Sequence, residues 1–171
     1  MSSRIAMTWW LTGLSGAGKS TLAQALAHAL RDRAESVCVV DGDELRSGLS
    51  RDLGFDDASR AENVRRAAHM ARILNSNGIH AVVAMISPAA KERDAALALI
   101  GRDRCKEIYI NTPLEICIQR DPKGLYARAG AGQLTQMTGI QSAYEPPPSP
   151  ALRLDTSVTE VSQAVLQILA I

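Results

Sequence analysis

The chain has 171 residues, of which 46% are hydrophobic, and this length predicts a single domain with one substantial core. Its formal net charge is +1, because 19 lysines and arginines nearly balance 18 acidic residues. So small a charge argues against nucleic acid or an anionic membrane as the partner and favours a small molecule. A cytoplasmic protein with reduced cysteines is expected, since Cys38, Cys105 and Cys117 lack Cys-x-x-Cys spacing and no secretory pattern or membrane-length apolar run occurs.

A strand, a glycine-rich loop and a helix are predicted in succession at the start of the chain. Met7 to Thr12 is an apolar run typical of a buried strand, and Lys19 to Arg33 has the apolar spacing of a helix. The loop between them fits the phosphate-binding pattern of Gly, four residues, Gly-Lys and Ser or Thr. Its residues are Gly13, Leu14, Ser15, Gly16, Ala17, Gly18, Lys19, Ser20 and Thr21. The full pattern in this context makes an ordinary glycine-rich turn the weaker interpretation.

This loop predicts that the protein binds a nucleoside triphosphate. Its glycines let the backbone wrap around a polyphosphate with successive N–H groups turned inward. Lys19 then reaches the terminal phosphates, Ser20 can hold a magnesium ion, and the N-terminus of the following helix faces the same anion. The loop by itself does not indicate what the phosphate is used for.

Carboxylates follow the second predicted strand. Val37 to Val40 is this strand, and Asp41-Gly42-Asp43 comes directly after it. A carboxylate at that position can hold water on magnesium or accept a proton from an attacking hydroxyl, and Asp41 is the stronger candidate. A turn that merely uses Asp and Gly is the alternative.

Cations and one aromatic ring form the next group. Arg60 and Asn63 lie on one side of the first turn of a predicted helix, where a cation opposes the helix dipole and therefore calls for a nearby anion. That anion is either a ligand phosphate or sulfate, which Arg46 and Arg60 could bind, or a neighbouring carboxylate. The neighbouring carboxylates are Asp56, Asp57 and Glu62. Phe55, the only phenylalanine, either stacks on a nucleobase or anchors its polar loop to the core.

Strands and helices alternate through the rest of the chain. Further strands are predicted at Ile79 to Ile86, Ile108 to Ile110 and Leu152 to Leu154, with helices beginning near Ser59, Pro88, Pro113 and Val161. Capping boxes are expected at Ser59 with Glu62 and at Ser157 with Glu160. This alternation predicts an α/β fold whose parallel sheet is covered on both faces and whose ligands lie beyond the carboxyl ends of the strands.

The segment from Gly124 to Pro150 contains glycines, a proline cluster and little periodicity. It is interpreted either as mobile loops that close over a site or as a solvated connector. Just before it, Arg120 and Lys123 flank a turn and could clamp a triphosphate or an anionic acceptor. The histidines have no metal-ligand spacing, so no metal site is predicted from them; they are His28, His69 and His80.

An ordered set of motifs carries a resemblance to a known family. Beside the phosphate-binding loop, the stretches are Asp41 to Asp43, Arg46, Gly48-Leu49, Asp52 to Phe55, Arg60, Glu62-Asn63, Arg65-Arg66, Ile86 to Pro88, Thr112 to Glu115, Arg120 to Tyr126, Thr138 to Ile140, Tyr144-Glu145 and Asp155-Thr156. They resemble the adenylyl-sulfate kinase family, which uses ATP to phosphorylate the ribose 3′-hydroxyl of adenylyl sulfate. The resemblance implies one P-loop kinase domain over residues 1–171, with a three-layer α/β/α fold, about five parallel strands and a lid at residues 122–150.

The resemblance also implies roles for individual residues. Lys19, Asp41 and Ser87 would be catalytic, with the serine recorded in the family as a candidate phosphorylated intermediate; Ser20 and Asp41 would hold Mg²⁺, and Arg120 would join the loop in binding ATP. Residues implied to bind adenylyl sulfate are Asp43, Arg46, Phe55, Arg60, Asn63, Ile86, Ser87, Lys123, Gly124, Leu125 and Met137. A homodimer is a further expectation of the family.

Three positions depart from the family pattern. Met137 replaces an aromatic residue that covers the substrate adenine, and Ala89 replaces a larger side chain. The arginine of the lid is either absent, with Gly130 in its place, or supplied by Arg128 after a two-residue shift. These departures keep two other functions open: a kinase of another small hydroxyl or nucleotide acceptor, and a catalytically degenerate nucleotide-binding regulatory subunit.

Overall fold

The computed structural model of the protein describes residues 5–171, in which strands and helices alternate. The strands are Thr8–Thr12 (β1), Val37–Asp41 (β2), His80–Ala84 (β3), Cys105–Ile110 (β4) and Leu152–Leu154 (β5). The helices are Lys19–Arg31 (α1), Gly42–Ser47 (α2), Asp57–Ser76 (α3), Ala90–Ile100 (α4), Leu114–Arg120 (α5), Leu125–Gly130 (α6) and Val161–Leu169 (α7).

The five strands form one sheet in the order β2-β3-β1-β4-β5, and every neighbouring pair is parallel. The first strand lies in the centre, with β3 on one side and β4 on the other. Connections therefore leave β1 and β3 toward opposite edges of the sheet, which opens a crevice at their carboxyl ends. The predicted α/β fold with a five-stranded parallel sheet is confirmed, and the phosphate-binding loop lies at this crevice.

Two apolar clusters cover the two faces of the sheet. Along β1, Trp9 and Leu11 pack with α1 and α7, whereas Trp10 packs with α3 and α4. The alternation follows from the period of two residues in a strand. Because β1 is buried on both faces, its sequence is a continuous apolar and threonine run, and the resulting layers are helix, sheet and helix.

The helix starts differ from the sequence prediction. The cap of α3 is Asp56, whose carboxylate accepts a hydrogen bond of 2.9 Å from the backbone N–H of Ser59, so the predicted capping box beginning at Ser59 is wrong. The second predicted box is also wrong, because α7 follows Glu160 without a side-chain cap, while the Ser157 hydroxyl donates to Asp155. In both cases an aspartate earlier in the chain takes the local N–H groups.

Two short helices were not predicted. The first, α2, begins directly after Asp41, and the second, α6, lies inside the 122–150 segment, which is otherwise irregular. Asp41 caps α2 by accepting a hydrogen bond of 2.9 Å from the N–H of Asp43. No helix within residues 5–171 is long and apolar enough to cross a membrane.

Candidate active site

The glycines of the phosphate-binding loop are needed both for their backbone conformation and because neighbouring atoms leave no room for a side chain. Gly16 has a φ of 78°, and a Cβ atom there would lie 2.7 Å from the carbonyl oxygen of Cys117 in α5. At Gly13 a Cβ would lie 2.4 Å from the carbonyl oxygen of Ile110 at the end of β4. The loop is thus pressed against two neighbouring elements, which restrict its backbone path.

Lys19 lies in this loop with only 8% of its surface exposed. Its Nζ donates a hydrogen bond of 2.7 Å to the carbonyl oxygen of Leu14. Burial, and secondarily the positive charge of Lys123, lowers the pKa of Lys19 to about 8. The ammonium group therefore gains from any anion that enters the loop, because such an anion would restore the electrostatic stabilisation that burial removes.

A hydroxyl and a carboxylate meet beside the loop. Ser20 Oγ donates a hydrogen bond of 2.6 Å to Asp41 Oδ2. Ser20 is the second residue of α1, and Asp41 is the last residue of β2. The parallel sheet therefore brings together two residues that are 21 positions apart in the sequence. Their oxygens form the hard donor set that Mg²⁺ prefers.

One cavity of about 880 Å³ extends from the phosphate-binding loop to α3 and the 122–150 segment. Among the described residues that line it, six are cationic and one, Asp43, is a carboxylate. The cationic residues are Lys19, Arg46, Arg60, Arg120, Lys123 and Arg128. This excess of positive charge fits anionic ligands, and the volume is in the range of nucleotide and small-molecule sites.

The far end of the cavity contains Arg46, Phe55 and Arg60. The Arg46 guanidinium lies 4.5 Å from the centre of the Phe55 ring and donates to the carbonyl oxygen of Gly54. Phe55 is 64% exposed, so its ring does not anchor the loop to the core and is available for stacking. Arg60 donates to the backbone oxygen of Phe55 and, across the cavity, to Thr138 and the carbonyl of Gln136; none of its partners in the described chain is a carboxylate.

An ion-pair network positions this end of the cavity. Arg66 donates to both Asp52 and Glu62, while Arg65 also donates to Glu62. These hydrogen bonds lower the pKa of the Glu62 carboxyl to about 2. Glu62 is therefore ion-paired with two arginines of its own helix. The pair between Arg66 and Asp52 also ties the loop that carries Phe55 to α3.

Asn63 and Ser87 are buried polar residues of the cavity wall. Asn63 is 3% exposed, and its Oδ1 has no hydrogen-bond partner within the described part of the chain. Ser87, also 3% exposed, has a φ of 40°, accepts a hydrogen bond of 3.1 Å from Trp10 Nε1 and donates one of 3.1 Å to Thr12 Oγ1. No carboxylate or imidazole of residues 5–171 is hydrogen-bonded to the Ser87 hydroxyl.

The 122–150 segment contributes side chains to the same cavity. Lys123 pairs with Asp43, and Tyr126 donates a hydrogen bond of 2.9 Å to the carbonyl of Ser15, which holds α6 against the phosphate-binding loop. Arg128 lines the cavity, whereas Gly130 is the last residue of α6 and a Cβ atom there would meet no neighbouring atom within 4 Å. Residues two apart on a helix face different sides, so the cavity-facing arginine of this segment is Arg128.

The decisive comparison is with protein families. The profile of the adenylylsulphate kinase family matches residues 5–155, most of the chain. The chain belongs to this family. The predicted family and its enzyme class, a phosphotransferase that acts on adenylyl sulfate, are therefore confirmed.

Solved structures agree with this assignment to the adenylylsulphate kinases. One similar structure is that of the Mycobacterium tuberculosis APS kinase CysC in complex with AMPPNP and APS. Its sequence is 42% identical to this chain, the alignment covers 96% of each chain, and the TM-score is 0.92. A hexameric APS kinase from Thiobacillus denitrificans is 33% identical over 98% of this chain and 29% of that chain, with a TM-score of 0.72. A gluconokinase from Sinorhizobium meliloti, 16% identical over 98% of this chain and 95% of that chain with a TM-score of 0.63, shares the fold alone.

In this adenylylsulphate kinase, most predicted site residues line the one cavity. Those that line it are Ser15, Gly16, Gly18, Lys19, Ser20, Thr21, Asp43, Arg46, Phe55, Arg60, Asn63, Ile86, Ser87, Arg120, Lys123, Leu125 and Met137. Those that do not are Gly13, Leu14, Ala17, Asp41 and Gly124. Gly13 packs closely against Ile110, Ala17 is fully buried, and Asp41 reaches the site through its contact with Ser20.

The sequence prediction missed part of the cavity wall. Thr156, Thr159, Val161 and Ala164 line the cavity beside the phosphate-binding loop. Thr156 also accepts a hydrogen bond of 2.7 Å from Arg120, which places that arginine on the same wall. The signal was available, because Asp155 and Thr156 follow β5 directly and so lie at the carboxyl edge of a parallel strand.

Proposed function

We propose that this adenylylsulphate kinase transfers the γ-phosphoryl group of ATP to the 3′-hydroxyl of adenylyl sulfate, giving 3′-phosphoadenylyl sulfate and ADP. The observation that carries the proposal is the single cavity in which a phosphate-binding loop and a separate group of two arginines and an exposed aromatic ring face each other. One nucleotide occupies each end. Among the described lining residues, the excess of cationic side chains over one carboxylate suits two polyanionic nucleotides held close together.

The donor end binds ATP through the backbone N–H groups of the loop and through Lys19, with Arg120 and Thr156 on the adjoining wall. When the γ-phosphoryl group enters, Lys19 exchanges the Leu14 carbonyl for phosphate oxygens. The charge that develops on the transferred group is then neutralised by a lysine that is already buried and oriented, which is the main catalytic requirement of phosphoryl transfer.

Ser20 and Asp41 fit a magnesium ion, because they offer a hydroxyl and a carboxylate oxygen 2.6 Å apart at the start of α1. When bound, Mg²⁺ would neutralise charge on the phosphate oxygens of ATP. We assign Asp41 the further role of accepting the proton of the 3′-hydroxyl through Oδ2, the oxygen on the side of Ser20, because Oδ1 caps α2.

The acceptor end binds adenylyl sulfate. Phe55 stacks on the adenine, Arg46 and Arg60 bind the phosphosulfate, and Asn63 uses its unpartnered Oδ1 to accept a hydrogen bond from the nucleotide. Met137, which is 6% exposed, lies on the opposite wall in place of an aromatic residue. Ile86, Ser87, Asp43, Lys123, Gly124 and Leu125 complete this end, with residues 122–150 acting as its lid.

The transfer is direct in this proposal. The 3′-oxygen attacks the γ-phosphorus, the bond between that phosphorus and the bridging oxygen breaks, and ADP leaves. Ser87 holds its loop in place and forms no phosphoserine, because its hydroxyl is hydrogen-bonded to Trp10 and Thr12 and no carboxylate or imidazole of residues 5–171 is hydrogen-bonded to it. The protein acts in the cytoplasm, and a homodimer, testable by light scattering, is part of the same proposal.

A coupled assay with ATP, Mg²⁺ and adenylyl sulfate tests the function. ADP and the 3′-phosphorylated product are expected from the wild type, and Lys19→Ala and Asp41→Ala should abolish their formation. Lys91→Ala, which changes an exposed lysine outside the cavity, is the matched control and should retain full activity. Folded wild-type protein without turnover would favour a regulatory subunit, and preference for a hydroxyl acceptor without the sulfate would favour a different kinase.

A further inference from the structure

The carboxyl-terminal part of the 122–150 segment is attached to the sheet at Tyr144. The Tyr144 hydroxyl lies 2.9 Å from Oγ1 of Thr12, a fully buried residue that ends β1 and immediately precedes the phosphate-binding loop. Thr12 Oγ1 also lies 2.7 Å from the carbonyl oxygen of Ile86, in the loop after β3. One buried hydroxyl therefore joins three separate parts of the site.

The directions of these hydrogen bonds follow from the chemistry of the groups. The carbonyl oxygen of Ile86 can only accept, so it takes the single hydroxyl hydrogen of Thr12. Tyr144 and Ser87 must then donate to Thr12 Oγ1, and Trp10 Nε1 donates to Ser87. Burial raises the pKa of the Tyr144 phenol above its usual value, which keeps the donor protonated. Tyr144 thus fixes the Thr12 hydroxyl in the orientation that holds Ile86.

Arg93 joins the same two segments by a second route. It is 1% exposed, donates to the carbonyl oxygens of Ser87 and Pro88 at 2.7 and 3.0 Å, and donates to the carbonyl oxygen of Glu145 at 2.6 Å. Its Nε pairs with Glu107 at 2.8 Å. A buried charge is costly unless it is fully paired. The hydrogen bonds that satisfy the Arg93 guanidinium also link the loop after β3 to the end of the 122–150 segment.

We propose that Tyr144 is a positioning residue for the acceptor nucleotide: through Thr12 it fixes the Ile86–Pro88 loop relative to the segment that closes the cavity, and Arg93 supports the same link. This inference rests on the proposed function. Neither side chain lines the cavity, so both act through the backbone of residues 86–88. The phosphate-binding loop has additional supports, including the Tyr126 bond to Ser15, so loss of the Tyr144 hydroxyl should affect it less than residues 86–88.

The chain provides a matched control for removing the Tyr144 hydroxyl. The rings of Tyr109 and Tyr144 are stacked with centroids 5.8 Å apart, but the Tyr109 hydroxyl has no hydrogen bond to any described residue. Tyr144→Phe should raise the KM for adenylyl sulfate by about fivefold to tenfold, as expected for one lost hydrogen bond, with the KM for ATP within about twofold of wild type. Tyr109→Phe should change neither. An unchanged acceptor KM in active, folded Tyr144→Phe overturns the proposal.

Hydrogen exchange separates this inference from the proposed function. The amide of Ala90, which donates a hydrogen bond of 2.7 Å to Glu145 Oε2, should exchange faster in Tyr144→Phe than in Tyr109→Phe, because the former loosens the loop after β3. If the wild type does not phosphorylate adenylyl sulfate, the proposed function fails, and exchange alone then decides the link: faster exchange supports it and equal exchange in the two variants overturns it.

Discussion

Replacing Asn63 should stabilise the protein while it impairs the acceptor end of the site. The Asn63 Oδ1 is buried without a partner in the described structure, and such an atom costs about 1 to 3 kcal/mol in the free protein. Asn63→Leu removes that cost with a side chain that has the same number of non-hydrogen atoms, and the adjoining cavity can accommodate its bulkier methyl groups. We expect a gain of about 1 to 2 kcal/mol, or a rise in Tm of about 2 to 8 °C for a chain of this length.

The same substitution removes the hydrogen-bond acceptor that the nucleotide is proposed to use. Loss of one hydrogen bond to a bound substrate should lower kcat/KM for adenylyl sulfate by about tenfold to 100-fold, with kcat/KM for ATP less affected. Scanning calorimetry and steady-state kinetics with each substrate varied in turn measure the two effects. Opposite changes in stability and activity identify a polar group retained for function.

A second buried group provides the control for this experiment. Ser50 is fully buried, its hydroxyl also has no partner among residues 5–171, and it does not line the cavity. Ser50→Ala should therefore raise Tm in the same direction and leave both kinetic constants unchanged. A fall in Tm of more than about 3 °C for Asn63→Leu would show that Oδ1 is satisfied, and an unchanged acceptor kcat/KM would show that Asn63 does not bind the nucleotide.

Three further predictions concern the loop and the aromatic ring. Because the pKa of Lys19 is about 8, kcat/KM for ATP should decline as pH rises through that value and the ammonium loses its charge; a rate profile that is flat to about pH 9.5 contradicts this. Gly16→Ala should lower kcat/KM for ATP at least about tenfold, since its Cβ would meet the Cys117 carbonyl at 2.7 Å, whereas Gly130→Ala should leave kinetics unchanged and shift stability by no more than about 1 kcal/mol. Phe55→Ala should raise the KM for adenylyl sulfate about fivefold to 100-fold and leave the free energy of unfolding within about 0.5 kcal/mol of wild type. Leu49 is a similarly exposed apolar residue outside the cavity, and Leu49→Ala should change neither quantity.

The order of strands and helices was predictable because their signals are local. The apolar run in β1 and the glycine pattern that follows it occupy 14 consecutive residues, from Thr8 to Thr21, and need no distant partner to be recognised. The starts of α3 and α7 were not predictable to the same degree. Several residues near each start can accept an N–H hydrogen bond, and the direction from which the chain enters the helix decides that Asp56, rather than Ser59, is the cap of α3.

The acceptor end shows where sequence reasoning stops. Arg60 could have paired with an acidic neighbour or faced a ligand, and periodicity cannot separate these alternatives. In the folded chain Glu62 is occupied by Arg65 and Arg66, while Arg60 extends across the cavity toward Thr138, 78 positions away. Only the path of the 122–150 segment over the sheet brings these two residues together.

The α/β class, the family and the phosphate-binding loop can be recognised without a structure, since each depends on residue types at short, regular spacings. Folding of the chain brings six cations and, among the described residues, only one carboxylate, Asp43, into one cavity. It also turns Arg128 rather than Gly130 toward that cavity and brings Tyr144 to Thr12, 132 positions away in the sequence. The physical reason is the same in each case. These contacts join elements whose separation in sequence carries no information about distance, and packing on the central strand fixes them.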